Sequence, residues 1–130
     1  MIRSFGSGEF FFILEGARWT VLLSILAFTF GGLAGLMVAL GRTSRMKWLR
    51  YTMATYIQIF QGTPLLIQLF FVYFGLPLLG LRVDVWVAMI VGLSLHASAF
   101  LGEIWRGSIE AVRPVRTRLH VRSALDILIA

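Results

Sequence analysis

Three glutamines, Gln58, Gln61 and Gln68, stand inside the most apolar part of this chain, around the turn-forming trio Gly62, Thr63 and Pro64. Each amide can donate and accept hydrogen bonds at once, which suits holding a polar solute, or a neighbouring helix, where water is scarce. Further on, His96 lies near the middle of another apolar run, and Glu103 and Arg106 are spaced to pair on one helix face. Catalytic patterns are missing. No G-x-x-x-x-G-K-[ST] loop, H-E-x-x-H or G-x-S-x-G occurs, so no catalytic residue is assigned and ATP hydrolysis by this chain is not expected. His96 and His120 are far apart with no carboxylates spaced to complete a metal site, and there are no cysteines. No bound cofactor and no metal are expected.

The elements that must position these residues are membrane helices. Of 130 residues, 58% are apolar and 14% charged, with a mean hydropathy of +0.86; a soluble domain is nearer about half apolar and roughly a quarter charged. Charge-free runs extend over 19–40, 51–81 and 85–102, and crossing the hydrocarbon core takes about 20 helical residues. This predicts an all-α polytopic protein with about three spans, 19–41, 51–81 and 85–102. Glu9 and Glu15 interrupt the approach to the first run, which therefore reads as an insertion signal that is not cleaved. Arg42, Arg45, Lys47 and Arg50 follow the first run and Arg106, Arg113, Arg116, Arg118 and Arg122 follow the third, whereas the other side holds Arg3, Arg18 and Arg82. The positive-inside rule then puts the N-terminus outside and the C-terminal tail in the cytoplasm. The net charge of +6 reads as topology and not as affinity for nucleic acid. Trp19, Trp48, Trp86 and Trp105 flank the runs as interfacial anchors.

The second run is too long for one straight helix: at ~1.5 Å per residue it would overshoot the core by about half. Thr63 can cap, Pro64 is tolerated at a first helical position and Gly62 permits a bend, so the run is expected to break there into two helices. On spacing alone the break fits a translocation pathway and a simple proline kink equally, with the glutamines tying helices together in the second case. If the bend is mild, the three glutamines share roughly one side. Gly31 and Gly35 form a G-x-x-x-G pair that permits close helix approach, although glycine is common in membrane helices anyway. Glu103 and Arg106 read as an interfacial ion pair, and His96 as a neutral histidine bonded to a neighbouring helix.

Taken together, "QGTPLLIQLFFVYFGLP" (61–77), "LEGARWTVLLSILAFTFGGLAGLMVALGRTSR" (14–45) and "SAFLGEIWRGSIEAV" (98–112) resemble the membrane-spanning permease subunit of bacterial ATP-binding-cassette importers for polar amino acids, the histidine, glutamine, arginine and opine permeases. G-T-P-L-L-x-Q-L is the most specific stretch. The resemblance implies about five spans, of which this chain carries the N-terminal half, an outside N-terminus and a location in the bacterial inner membrane. It also implies two cytoplasmic ATPase subunits where ATP is bound, a second permease subunit of the same or a related kind, and a periplasmic solute-binding protein. On this resemblance Gly62, Thr63 and Pro64 shape a helix around the pathway, Gln68 is a pathway or core-packing residue, and Glu103, Arg106 and Gly107 support the coupling region.

After Val112 the pattern departs. The family continues with a G-Q-x-E-A-A-x-x-L-G coupling segment that docks on the ATPase, whereas this chain reads "RPVRTRLHVRSALDILIA" over 113–130. The Glu110-Ala111 pair lies upstream of that motif's place. An arginine-rich tail from a shifted or shortened reading frame and a divergent coupling loop both fit. The resulting expectation is a permease subunit forming part of a translocation pathway for polar amino acids. Its alternatives are a non-transporting fragment of such a permease and a small channel-like membrane protein.

Overall fold

The computed structural model describes residues 6–129, the side chains of 113–119 and 121 excepted. The N-terminal Arg3, and the side chains of Arg113, Arg116 and Arg118, which entered the charge count, lie outside that description. Every regular element among the described residues is helical: α1 (Ser7–Arg42), α2 (Lys47–Gly62), α3 (Leu65–Leu78) and α4 (Val85–Ile129). Both α1 and the Val85–Val112 part of α4 are long and apolar enough to cross a membrane, and α2 with α3 makes a third such segment, broken by a 108° change of direction. The break falls where Pro64 removes a backbone donor. Helices overrun the charge-free runs: α1 begins well before Trp19 and α4 passes Gly102 without interruption. Charged residues limit residence in hydrocarbon but not helicity, so Glu9, Glu15 and Arg18 ride on helical turns.

Local chemistry sets the helix ends. Asp84 accepts from the Trp86 amide through its side chain and from the Ala88 amide through its carbonyl, opening α4. At the end of α3 the Leu81 amide reaches the Leu76 carbonyl and the Gly80 amide reaches Pro77, a closing motif that requires the left-handed conformation Gly80 adopts at φ +86°. Thr43 and Ser44 amides bond back to Ala39 and Gly41, ending α1 before the short turn into α2.

The main packing is α1 against α4, and small residues make it possible. A Cβ built on Gly31 would stand 2.6 Å from Ala97 Cβ and 2.9 Å from the Ser94 carbonyl oxygen; one on Gly35 would stand 3.0 Å from the Gly102 nitrogen. Thus the G-x-x-x-G pair of α1 meets Ser94, Ser98 and Gly102, a ladder of small residues four apart on α4. Trp19 packs against Trp86 with ring centroids 4.8 Å apart and planes tilted by 41°, and Arg42 approaches Glu103 at 3.9 Å. Contacts therefore ascend both helices in the same order, so α1 and α4 run parallel. Two parallel crossings require the chain between them to return across the bilayer. The α2–α3 pair is accordingly a broken span and not a loop that re-emerges on the side it entered.

Candidate functional site

At the break, the backbone groups must be satisfied without water, because an unpaired carbonyl in hydrocarbon costs several kcal/mol. The last carbonyls of α2 have no partner within their own helix. Phe60 is the acute case: the residue four places on is Pro64, which has no N–H. Gln68 answers it. Its Nε2 donates to the Phe60 carbonyl at 2.6 Å and to the Thr63 carbonyl at 2.8 Å, and its side chain is buried. Thr63 Oγ1 donates to the Ile59 carbonyl at 2.6 Å, taking a further orphan.

The remaining polar atom of Gln68, Oε1, lies 3.1 Å from Nδ1 of His96 on α4. His96 is half-buried, packs its ring at 4.7 Å from Phe100, and borders a groove of ≈ 460 Å³ between α1 and α4 that Thr20, Ser24 and Phe28 also line. The expectation of a histidine bonded to a neighbouring helix is met, with Gln68 as its partner. The next residue, Leu69, seats against Gly92, where a Cβ would come within 2.6 Å of Leu69 Cδ2. Between α2 and α4, Tyr56 Oη lies 2.6 Å from Ser98 Oγ and 3.2 Å from the Leu95 carbonyl oxygen, to which Ser98 Oγ donates at 2.7 Å. One stretch of α4, Gly92 to Ser98, thereby holds both halves of the broken span.

Several sequence readings change in detail. Thr63 does not cap α3: Pro64 occupies the cap position itself, with φ −56° and an extended ψ of 138°, and Thr63 folds back on α2. Gly62 ends α2 without a left-handed φ and with open space where a Cβ would sit, so the bend does not depend on glycine there. The glutamines do not act together. A turn of 108° is not mild, and it leaves Gln58 and Gln61 exposed, with no hydrogen bond among the described residues, while Gln68 alone turns inward.

At the far end of the α1–α4 pair, Arg106 grips Glu103 through Nε at 3.0 Å and Nη2 at 2.7 Å, and Glu110 through Nη1 at 2.7 Å. With Arg42 on α1 beside Glu103, this is a four-residue charge cluster and not the simple pair expected. Gly107 lies exposed on the helix, with nothing within 4 Å of a Cβ. Among the described residues no group of His, Asp or Glu is placed to hold a metal ion. Sequence reading missed Tyr56, Ser94 and Ser98; the four-residue spacing of Ser94, Ser98 and Gly102 was the available signal.

The comparisons with known proteins agree with this architecture. The crystal structure of an amino acid ABC transporter with histidines matches 95% of this chain and 58% of its own at a TM-score of 0.82 and 34% sequence identity. The probable amino-acid ABC transporter permease protein YckA of Bacillus subtilis is 34% identical over 104 residues, 80% of this chain and 46% of YckA. Over that shared length the chain belongs to the amino-acid ABC transporter permease family. Other relatives are the putative glutamine transport system permease protein GlnP of Rickettsia bellii and the arginine transport system permease protein ArtQ of Bacillus subtilis. GlnP is 38% identical over 82% of this chain and 49% of its own length, and ArtQ 38% identical over 78% and 47%. This permease-family chain spans about half the length of the curated relatives it matches. No protein-family model matches it.

Proposed function

We propose that the chain is a permease subunit of an ATP-driven amino-acid importer and forms part of its translocation pathway. The observation that carries the reading is the match, over 95% of the chain, to an amino acid ABC transporter of known structure. The break supports it: irregular backbone at membrane depth is tolerated where protein or a watery cavity surrounds it, and broken spans commonly border transport pathways. Gln58 and Gln61, exposed on an otherwise apolar span, call for water or a further helix, which a pathway wall or a second permease subunit provides.

In this reading the protein lies in the bacterial inner membrane with its N-terminus outside, as the arginine and lysine asymmetry directs. This chain binds no cofactor; ATP is bound and hydrolysed by two cytoplasmic ATPase subunits, and a periplasmic binding protein delivers the amino acid. The Arg42–Glu103–Arg106–Glu110 cluster then sits on the cytoplasmic side and stiffens α4 and its junction with α1 where ATPase movement enters. Gly107 follows on the same helix. Helix α4 continues through residue 129, where the family has its coupling segment.

The test is reconstitution of the chain in proteoliposomes with the ATPase, second permease and binding protein of its system. ATP-dependent uptake of labelled glutamine, arginine or cystine, the solutes named for its relatives, is expected to require this chain. Equal uptake with and without it overturns the proposal.

A further inference from the structure

We propose that Gln68 is the positioning residue of the broken span and that His96 fixes its setting. The assignment follows from valence. The Phe60 and Thr63 carbonyl oxygens, 2.6 and 2.8 Å from the amide, can only accept, so the NH2 of Gln68 must face them and both its protons are used. Oε1 must then face His96, and because Oε1 can only accept, Nδ1 of His96 carries the proton in the 3.1 Å contact. In the neutral ring this leaves the lone pair on Nε2. A free histidine side chain prefers the opposite tautomer, so the arrangement leaves a readable signature.

One side chain thus joins three helices. It replaces the N–H that Pro64 lacks at the end of α2, it belongs to α3, and it is held by α4. Leu69 against Gly92 and Gln68 against His96 dock consecutive α3 residues on α4 positions one turn apart. A shift of α4 therefore carries the Gln68 amide with it, and the amide carries the carbonyls at the break. For geometry the proposal stands on these contacts; for transport it rests on the importer reading above.

The chain lacks cysteine, so Thr52→Cys on α2 and Phe71→Cys on α3, both exposed, can carry spin labels in lipid nanodiscs, with histidine nitrogen resonances read in parallel and His120→Gln for assignment. The unaltered chain is expected to show one narrow distance across the break and His96 protonated at Nδ1. Gln68→Leu should lose the narrow distance and move the His96 proton to Nε2. His96→Phe should also lose it, whereas His96→Gln, whose amide can still donate to Gln68, should keep it. An unprotonated Nδ1 on His96 in the unaltered chain overturns the proposal whether or not any variant folds, as does an unchanged distance in His96→Phe. In the reconstituted importer, Gln68→Leu, which removes all three contacts, should slow uptake at least about tenfold, the equivalent of losing one of them, at an unchanged half-saturating concentration of loaded binding protein. Absence of uptake with the unaltered chain would count against the importer reading alone, since the distance and tautomer still decide the role of Gln68.

Discussion

Gly35 and Gly102 meet main chain to main chain: a Cβ on Gly35 would lie 3.0 Å from the Gly102 nitrogen, and one on Gly102 would lie 3.1 Å from the Gly35 oxygen. The backbones come this close here because neither residue carries a side chain. The contact sets the register of α1 on α4, and with it the meeting of Trp19 with Trp86 at one end and Arg42 with Glu103 at the other.

Alanine substitutions should separate the crowded glycines from the free ones. Gly31→Ala, forced against Ala97 Cβ at 2.6 Å, and Gly35→Ala, forced against backbone at 3.0 Å, are expected to lower stability by about 1–3 kcal/mol through overpacking. Gly107→Ala meets nothing within 4 Å and should be neutral or stabilising by up to ~1 kcal/mol, since alanine is the better helix former. Unfolding by steric trapping in bicelles measures both; equal effects at Gly31 and Gly107 would contradict the packing described.

Because α1 and α4 are parallel, single cysteines placed at Ser44 and Ser108 should react with an impermeant maleimide from one side, and a cysteine at Leu81 from the other. In the orientation proposed from the charge asymmetry, the first side is the cytoplasmic one. Labelling of Leu81 and Ser44 from the same side would make α2–α3 a re-entrant loop and overturn the three-crossing topology.

Pro64→Ala restores an N–H four residues after Phe60, in competition with Gln68 for the same carbonyl. The bend should relax towards a continuous helix, shifting a label distance between α2 and α3 to longer values and reducing uptake in the reconstituted importer while insertion is unchanged. Uptake equal to that of the parent at matched expression would reduce the break to an ordinary kink.

Tyr56→Phe deletes the hydroxyl that bridges Ser98 Oγ and the Leu95 carbonyl. The expected loss is about 1 kcal/mol. Ser98→Ala in the Tyr56→Phe background should add less than it does alone, because the two groups share one network. Strict additivity in a double-mutant cycle would show that they do not interact.

Glu103→Gln removes the bidentate partner of Arg106 and the carboxylate beside Arg42, whose Nε is already buried without a partner among the described residues. With half-exposed groups screened by water, a loss of about 1 kcal/mol is expected. High salt should shrink the difference between parent and variant in thermal unfolding. Arg106→Lys should lose part of the same energy, since an ammonium cannot reproduce the forked contact.

Composition and periodicity carried much of this protein. An apolar chain with charges gathered between runs must be a helical membrane protein, since helices satisfy their own backbone in lipid. Pro64 determined the place of the break by chemistry that no neighbour can alter, because proline has no N–H to give. The arginine and lysine clusters determined which ends share a side, and G-T-P-L-L-x-Q-L was enough to suggest the family.

What the linear order left open were the pairings. Three glutamines of one residue type looked alike along the chain. Only the 108° turn, which directs Gln68 inward and leaves Gln58 and Gln61 outside, distinguished them. His96 had no visible partner because Gln68 lies 28 residues earlier, and Gly31 and Gly35 found theirs only when α4 presented Ser94, Ser98 and Gly102 at matching spacing. Helix and break follow from interactions within a few residues, which a sequence displays directly. A register between distant helices follows from which surfaces can approach without collision, and that depends on all the atoms of both surfaces at once.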